Sequence, residues 1–543
     1  MLEILSVDNM RKSDAATIRA GLEGKELMYR AGKAIFENVK WKPPVGIVCG
    51  VGNNAGDGYV LAKLLADAGI ECTLILLEDR FSEDGRFYFE KCLKLTHEIS
   101  TEVSEPEKPG KEENGNKKIA VKHVEEFDSF SEFETLVDCI FGTGFRGEAR
   151  GKARNAIDMI NSSGAYIVAV DINSGMNGDS GMCGNDNTSA GCVVSDLTVS
   201  IGSFKPGHFL NMAKDVIKEK INADIGIKPV QKPYYLIEED DLRPFFKDRP
   251  NLSNKGTYGY VAIIGGSKKY SGAVRLAVMA NTAMRSGAGV VKAGLPNTLY
   301  HDLLPLILES TLFPLSDIDG ELVFNEDEIK QLISNVKTVT FGMGIGVSPE
   351  TSKCLEYLLK NYRGTLIIDA DGLTVLSKLD REVIRRASCK TVLTPHIKEF
   401  ERLTGLKKDE ILNSPITYAE NYALDTGSIV LLKGPSTVVT DGVRTYVIDT
   451  GCAGMATAGS GDVLSGVLSA VCAYLPGSKP VEDILLSGSV APVASDLVFA
   501  VAAGAFINGK AGERAQQKTN SISMIASDTV ECIPEVISGL MIK

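Results

Sequence analysis

The stretch Gly451-Cys452-Ala453-Gly454-Met455-Ala456-Thr457-Ala458-Gly459-Ser460-Gly461-Asp462-Val463-Leu464-Ser465-Gly466 is a glycine-rich turn that runs straight into an apolar segment, Val463 to Leu475, with the period of a helix. Asp462 stands where that helix begins. Glycines let a backbone approach a ligand closely, and the free N–H groups of a helix start point at an anion. A carboxylate fixed beside such a site can take a proton from a hydroxyl while charge builds on the neighbouring group. The same residues would also serve as a tight turn with Asp462 as a first-turn helix acid, because Gly and Asp are the ordinary residues of turns.

Working outward, the second half of the chain repeats one arrangement. Strands are expected at Tyr260–Ile264, Thr338–Phe341, Leu366–Ile368, Thr391–Leu393 and Ser428–Leu432. Each ends in glycine or polar punctuation: Gly265-Gly266-Ser267, Gly342-Met343-Gly344-Ile345-Gly346, Asp369-Ala370-Asp371, Thr394-Pro395-His396-Ile397-Lys398-Glu399, and Lys433-Gly434-Pro435-Ser436. In open α/β sheets ligands sit outside the carboxyl ends of strands, so these turns are candidate site residues. The segment Ser271–Ser286 reads as a close-packed helix carrying Ala273, and Glu399–Leu403 as a short one behind His396. His396 suits a helix cap as well as a ligand, and Lys433 suits solvent as well as phosphate; no GxxxxGK[ST] pattern accompanies it.

The first half opens with apolar residues at helical spacing over residues 8 to 40, with Leu27, Ala31, Ala34 and Ile35 on one face. Val45–Cys49 then reads as a buried strand feeding Gly50-Val51-Gly52-Asn53-Asn54-Ala55-Gly56-Asp57-Gly58, a helix from Tyr59 to Ala68, and a strand from Cys72 to Leu77. That is a βαβ unit, which favours a parallel sheet. The turn nearly fits a dinucleotide fingerprint, with Glu78 about where a ribose-binding acid would lie. More telling are the oxygen-bearing side chains of Asn53, Asn54 and Asp57, which suit a hydroxylated substrate or an alkali cation as well as a helix cap. Two further strands end in Phe141-Gly142-Thr143-Gly144-Phe145-Arg146-Gly147 and in Asp171-Ile172-Asn173-Ser174-Gly175. Strand ends near residues 52, 141 and 171 should therefore converge on one crevice.

At 543 residues the chain exceeds one ordinary core. Prolines 229, 233, 244 and 250 flank an acidic cluster and mark the expected junction, giving domains 1–228 and 235–543. A net charge of −12 with interspersed acids and bases argues against nucleic acid and anionic membrane as partners. The eleven cysteines include no CxxC pair, and Cys49, Cys139 and Cys472 lie in apolar runs. Neither a zinc nor a disulfide framework is expected, and a reducing cytoplasm is the simpler setting. The N-terminus is no signal peptide, and the apolar run Val490–Ile507 reads as a buried helix because Pro492, Asp496 and Gly504 interrupt it. Residues 101–118 read as a solvated insertion.

The motifs GVGNNAGDGYVLAKLL, VDCIFGTGFRG and VAVDINSGMNGDSG resemble the NAD(P)H-hydrate epimerase family over about residues 1 to 228. The resemblance implies a Rossmann-like three-layer α/β domain that interconverts the R and S hydrates of NAD(P)H. It implies substrate contacts from Asn53, Asn54, Ala55, Gly56 and Asp57, from Gly142, Thr143, Gly144, Phe145, Arg146, Gly147 and Glu148, and from Asp171 as the acid/base. It also implies a potassium ion near Asn54, Asp138 and Ser174. Ala55 and Asn173 depart from the Gly and Pro common in the family. The motifs NKGTYGYVAIIGGSKKYSGA, RSGAGVVKAG, GMGIG, IIDADGL, TPHIKEFERL, LLKGPSTVV and GMATAGSGDVLSG resemble the NAD(P)H-hydrate dehydratase family over about residues 235 to 540. That implies a ribokinase-like α/β domain which dehydrates the S hydrate using ADP, giving NAD(P)H, AMP and phosphate. Ala273, Gly344, His396 and Asp462 would contact the hydrate, with Asp462 as base. Lys433, Gly434, Pro435, Ser436 and Thr437, and Cys452, Ala453, Gly454, Met455, Ala456, Thr457, Ala458, Gly459, Ser460 and Gly461, would hold the nucleotide. Mg2+ is inferred from the phosphoryl-transfer chemistry, without assigned ligands, and homo-oligomeric assembly is expected. At Gly451-Cys452-Ala453-Gly454 the family often has a Gly-Asn-Pro-Gly turn, and residues 473–493 are longer and less regular than the resemblance suggests. The rival readings are a ribokinase-like kinase of a vitamin-precursor alcohol, for which the fused first half would have no use, and a binding protein with one inactive half.

Overall fold

A computed structural model describes residues 1–96, 119–184, 191–282, 285–475 and 497–541. The expected insertion at 101–118 and most of the irregular stretch 473–493 lie outside the described residues, and the helix expected to reach Ser286 is described as Ser271–Thr282, with Arg285 and Ser286 in a turn. The chain divides into two compact units, Glu3–Tyr234 and Tyr235–Lys543, the latter joined by Met1 and Leu2.

In the first unit the four strands read from sequence are joined by three that were not, Ile119–His123, Ser195–Ile201 and Ile217–Ala223, in a seven-stranded sheet of order Ile119–His123, Cys72–Leu76, Val45–Cys49, Thr135–Cys139, Tyr166–Val170, Ser195–Ile201, Ile217–Ala223. Every pairing is parallel. Because side chains alternate along a strand, neighbouring residues serve opposite faces. Ile47, Leu74, Val137 and Val168 pack in one core with the helices Gly24–Asn38 and Asn53–Asp67. Val48, Ile75, Leu136 and Ile167 pack in another with Ile157 and Ile160 of the helix Gly151–Ser162. The result is a three-layer α/β sandwich. The helical spacing over residues 8–40 belongs to two helices, Val7–Arg19 and Gly24–Asn38.

Strand order reverses between Val45–Cys49 and Thr135–Cys139, and the two chains leave the sheet in close contact there. A Cβ on Gly50 would lie 2.0 Å from the carbonyl oxygen of Ile140, so only glycine fits. This is the position at which an open α/β sheet opens a crevice.

The second unit is built on a larger mixed sheet. From Tyr234–Leu236 the order runs Thr445–Ile448, Thr437–Thr440, Ile429–Leu432, Lys390–Leu393, Thr365–Ile368, Thr338–Phe341, Tyr260–Ile264, Val290–Pro296, Thr311–Leu315. The pairs joining Ile429–Leu432 to Thr437–Thr440 and the latter to Thr445–Ile448 are antiparallel. The remaining pairs from Ile429–Leu432 to Thr311–Leu315 are parallel. The helix Ser460–Tyr474 is buried from Val463 through Ala473 and packs on the sheet and on the helices Ser271–Thr282 and Leu497–Lys518. The apolar run after residue 497 is a buried helix, and no helix among the described residues is long and apolar enough to cross a membrane.

One cysteine expectation is corrected. Cys183 and Cys192 form a disulfide, with Cα atoms 5.6 Å apart. Spacing gave no hint of it. Met176 bridges Cys183 in antiparallel fashion, while the Cα of Gly175 packs against the backbone of Cys192. Cys49, Cys139 and Cys472 are buried free thiols.

Candidate active sites

At the switch point of the first sheet lies a cavity of about 570 Å³. Its lining includes Gly52, Asn53, Asn54 and Asp57 after the first strand, Ile140 to Phe145 after the second, and Asp171 after the third. The helix expected to begin at Tyr59 begins at Asn53, so Asn53, Asn54 and Asp57 project from its first turns. Ala55 and Gly56 are buried and do not line the cavity, nor do Arg146, Gly147, Glu148 and Glu78. Arg146 is instead tied to the carbonyls of Thr143 and Phe145 and to Asp179, and Glu148 pairs with Arg150.

Asp171 is the focus of this cavity. Its backbone is left-handed (φ 66°), unusual for a residue with a side chain and typical of strained functional positions. Its Oδ1 accepts from the Nζ of Lys205 and from the peptide N of Ile201 at 3.2 Å. Three more carboxyls, Asp14, Asp57 and Asp84, line the same space. Burial, opposed by Lys205 and reinforced by Asp171, raises the pKa of Asp14 to about 6. Burial and the charges of Asp171 and Asp14 push Asp57 well above the carboxylate range. Sequence reasoning missed Asp14, Lys205 and His208. Asp14 reads as one polar residue of an amphipathic helix, and Lys205-Pro206-Gly207-His208 as an ordinary loop; only the tertiary fold brings them to Asp171.

Beside the cavity is a knot of oxygens. Asp138 is fully buried and accepts from Ser174 Oγ (2.6 Å), Ser174 N (2.8 Å) and Ile140 N (3.1 Å), but has no cationic partner among the described residues. Burial raises its pKa to about 6 despite those bonds. Asn54 Nδ2 donates to the carbonyl of Phe141 at 2.9 Å, leaving Oδ1 enclosed without a hydrogen-bond partner. Ser174 Oγ contacts the N and O of the same Phe141. A buried carboxylate without a counter-charge and an orphaned amide oxygen fit a hard monovalent cation. Asn173 is buried within a network of its own: Nδ2 donates to Val193 O, Ser195 Oγ and Val216 O, and Oδ1 accepts from Thr198 at 2.6 Å. Four bonds therefore hold the turn that a proline ring would otherwise stiffen.

In the second unit Asp462 lies in the first turn of Ser460–Tyr474, three residues after Gly459, the left-handed N-cap (φ 91°). Burial, with repulsion from Asp369 and Asp371 only partly offset by Lys433, raises its pKa to about 7. Lys433 Nζ donates to Asp369 Oδ1 at 2.9 Å and lies 3.8 Å from Glu399, and a Cβ on Gly461 would lie 3.6 Å from that nitrogen. Burial alone would lower the pKa of Lys433, but Asp369 and Glu399 outweigh it and raise it. Asp369 accepts from Ser465 Oγ at 2.7 Å as well, and its pKa is lowered because Lys433 and Ser465 overcome burial. Ser460 Oγ is enclosed and without a partner, a donor available at the helix start.

His396 caps the helix Ile397–Thr404: its Nδ1 accepts from Glu399 N while its own N–H donates to Glu399 at 2.8 Å. Half of its side chain stays exposed, and it forms a bridge beside Lys433. Gly344 meets Ala273 and Tyr270 directly; a Cβ there would lie 2.7 Å from Tyr270 and 3.0 Å from Ala273. Gly434 and Pro435 are exposed, Thr437 is half-buried, and the buried Ser436 donates to Asp449 at 2.8 Å. The turn at Cys452, Ala453, Gly454, Met455, Ala456, Thr457 and Ala458 is largely open to solvent, apart from buried Gly454. Gly451 N and Gly454 N donate to Glu513 and Gln516 of the helix Leu497–Lys518, which anchor the turn where the Asn-Pro pair is replaced. Among the described residues no three His, Cys, Asp or Glu side chains gather to hold a metal.

Comparison with known proteins follows the two units. The family described as YjeF-related protein N-terminus matches residues 24–207, and that described as NAD(P)H-hydrate dehydratase matches residues 261–535. The bifunctional NAD(P)H-hydrate repair enzyme of Pyrobaculum aerophilum is 31% identical over 99% of this chain and 98% of its own. That of Escherichia coli is 28% identical over 98% and 93%. Among solved structures, the ADP/ATP-dependent NAD(P)H-hydrate dehydratase of Bacillus subtilis, co-crystallised with ATP and Mg2+, covers 56% of this chain at 22% identity and a TM-score of 0.46.

Proposed function

We propose the following division of labour on the premise that this chain belongs to the family of bifunctional NAD(P)H-hydrate repair enzymes. It is an enzyme that repairs hydrated NADH and NADPH by epimerisation and nucleotide-dependent dehydration. In our reading the first works through Asp171 and the second through Asp462. Water added across an enamine leaves the hydroxyl on the carbon bonded to the ring nitrogen, whose lone pair can expel it. At the first site Asp171 Oδ2, turned toward the cavity, would move the proton that lets this C–O bond break and re-form on either face. Asn54, Asp138 and Ser174 would hold K+, with Asn54 Oδ1 as the unclaimed ligand; the cation would supply counter-charge to the buried carboxylate.

At the second site hydroxide is a poor leaving group, so the hydroxyl is converted into a phosphate ester. Asp462 takes its proton as the oxygen attacks the terminal phosphorus of ADP, and AMP departs. N–H groups of Gly459 to Gly461, the hydroxyl of Ser460 and Lys433 support the phosphoryl charge. Phosphate then leaves with the push of the ring nitrogen, and loss of a proton from the adjacent carbon restores the double bond. Ala273, Gly344 and His396 would face the hydrate; Lys433 to Thr437 and Cys452 to Gly461 would face the nucleotide. Mg2+ would enter with the nucleotide phosphates, since the described residues gather no ligand set of their own. Homo-oligomeric assembly is supported by exposed Leu306 and Leu308. The observation that carries the reading is Asp462 itself, a carboxyl tuned to about 7 at a helix start beside Lys433.

The test is recovery of the near-ultraviolet absorbance of reduced nicotinamide from a mixture of R and S NADH hydrates, with ADP and ATP run side by side. Both epimers should be consumed. Persistence of the R epimer would remove the assignment of the first unit. Phosphorylation of a small alcohol from ATP, with no hydrate consumed, would favour the kinase reading.

A further inference from the structure

Lys205 is 1% exposed, a burial that an ammonium tolerates only with its charge paired and its donors satisfied. Its three N–H groups are all used. One goes to Asp171 Oδ1, one to the carbonyl of Ile201 at 2.8 Å, and one to Ser200 Oγ at 3.4 Å. None remains for a ligand, although the side chain lies against the cavity. The residue it holds is fixed on every other side as well. Asp171 N donates to Val199 O at 2.8 Å, and Asp171 O accepts from His208 Nε2 at 2.7 Å. His208 Nδ1 in turn accepts from the peptide N of Lys205 at 2.9 Å, so one ring ties the two backbones together. Burial and the nearby Lys205 keep that imidazole neutral, with a pKa near 4. Only Asp171 Oδ2 is left unbonded, 3.9 Å from where a Cβ on Gly142 would stand.

We propose that Lys205 is the positioning residue of the epimerisation: it clamps Asp171 Oδ1 beneath the cavity so that Oδ2 alone is presented to the hydrate. The inference rests on the reading of Asp171 as the acid/base. A carboxylate free to turn would present either oxygen, or swing away from its carboxyl neighbours Asp14 and Asp57 in the same cavity. Lys205 supplies the opposing charge from below, where it competes with no substrate contact. Arg11, the other cation lining the cavity, is exposed and sits on the helix Val7–Arg19.

The experiment uses the full chain, with its own dehydration of S hydrate as the internal control, and follows conversion of R hydrate in four variants. Lys205→Met should lower kcat roughly hundredfold, the scale of a lost acid/base function, with KM held within about threefold. Asp171→Asn should do the same. The double variant Asp171→Asn with Lys205→Met should be no slower than Asp171→Asn alone, because a residue acting only through Asp171 has nothing further to lose. Lys205→Arg, which keeps the cation, should restore much of the rate. The proposal is overturned if Lys205→Met raises KM while kcat is kept, if the double variant loses a further order of magnitude, or if folded Lys205→Arg is as slow as Asp171→Asn. Should Lys205→Met fail to fold around an unpaired Asp171, the double variant, which removes that charge too, still decides the matter. Wild-type epimerisation by Asp171→Asn would instead sink the reading of Asp171 itself.

Discussion

Asp462 is a carboxyl whose surroundings disfavour its charge, through burial first and the acids Asp369 and Asp371 second. A base must be ionised to work. Because its pKa is raised to about 7, the working form is lost as pH falls through that value. We therefore expect kcat/KM for dehydration to fall about tenfold per pH unit below the transition and to level off above it. Asp462→Asn should abolish dehydration by at least about two orders of magnitude and leave R-to-S conversion unchanged. A profile flat between pH 5 and pH 8, or an Asn variant that still dehydrates, would remove Asp462 from the role. Asp462 was legible in sequence because turn, acid and helix are contiguous. Its partners were less so. Asp369 and Glu399 were visible as strand-end residues, yet their shared claim on Lys433 depends on three strand ends lying side by side in the sheet.

Elements explain why some readings held and others shifted. Central strands are short apolar runs with clear punctuation, and Tyr260–Ile264 and Val45–Cys49 lie where their residues placed them. Helix starts moved, because a helix can begin on the polar residues that also suit a turn. Asn53 and Ser460 are both helical, and the side chains taken for loop ligands stand on rigid first turns. Strands such as Thr437–Thr440 and Ser195–Ile201 went unread; both carry polar residues that find partners only in the sheet. The start of Ser460–Tyr474 depends on one residue without a side chain. A Cβ on Gly459 would fall 2.4 Å from Leu276 at a left-handed φ of 91°. Gly459→Ala should cost about 1–3 kcal/mol in stability. It should also weaken nucleotide use, read as a lower denaturant midpoint and a raised KM for ADP. A variant with unchanged midpoint and KM would show that the neighbouring helix gives way freely.

The whole chain carries two sites on two separately cored units, each with its own acid, lysine and cluster of strand ends. Neither set borrows a named residue from the other unit. Mixing the Asp171→Asn and Asp462→Asn proteins should therefore restore conversion of R hydrate to NADH, with the hydrate passing through solution, at a rate that rises with either component. A mixture that stays inactive would mean the two reactions must occur on one chain. At this scale composition pointed to a junction among Pro229, Pro233, Pro244 and Pro250, and the two compact units divide between Tyr234 and Tyr235. The Cys183–Cys192 bond and the Lys205–Asp171 clamp were not legible, since neither pair carries a sequence pattern that joins its two residues.

Lys205 and Lys433 also decide how this protein meets ionic strength. Pairs on its skin, such as Lys12–Asp8 and Lys63–Asp67, stand in electrolyte whose Debye length is about 8 Å at 0.15 M salt, and they weaken as salt rises. The ammonium groups of Lys205 and Lys433 sit beneath strand ends with their carboxylates beside them, where mobile ions have little access. Salt can loosen the surface of this molecule well before it reaches the ion pairs that Lys205 and Lys433 make with Asp171 and Asp369.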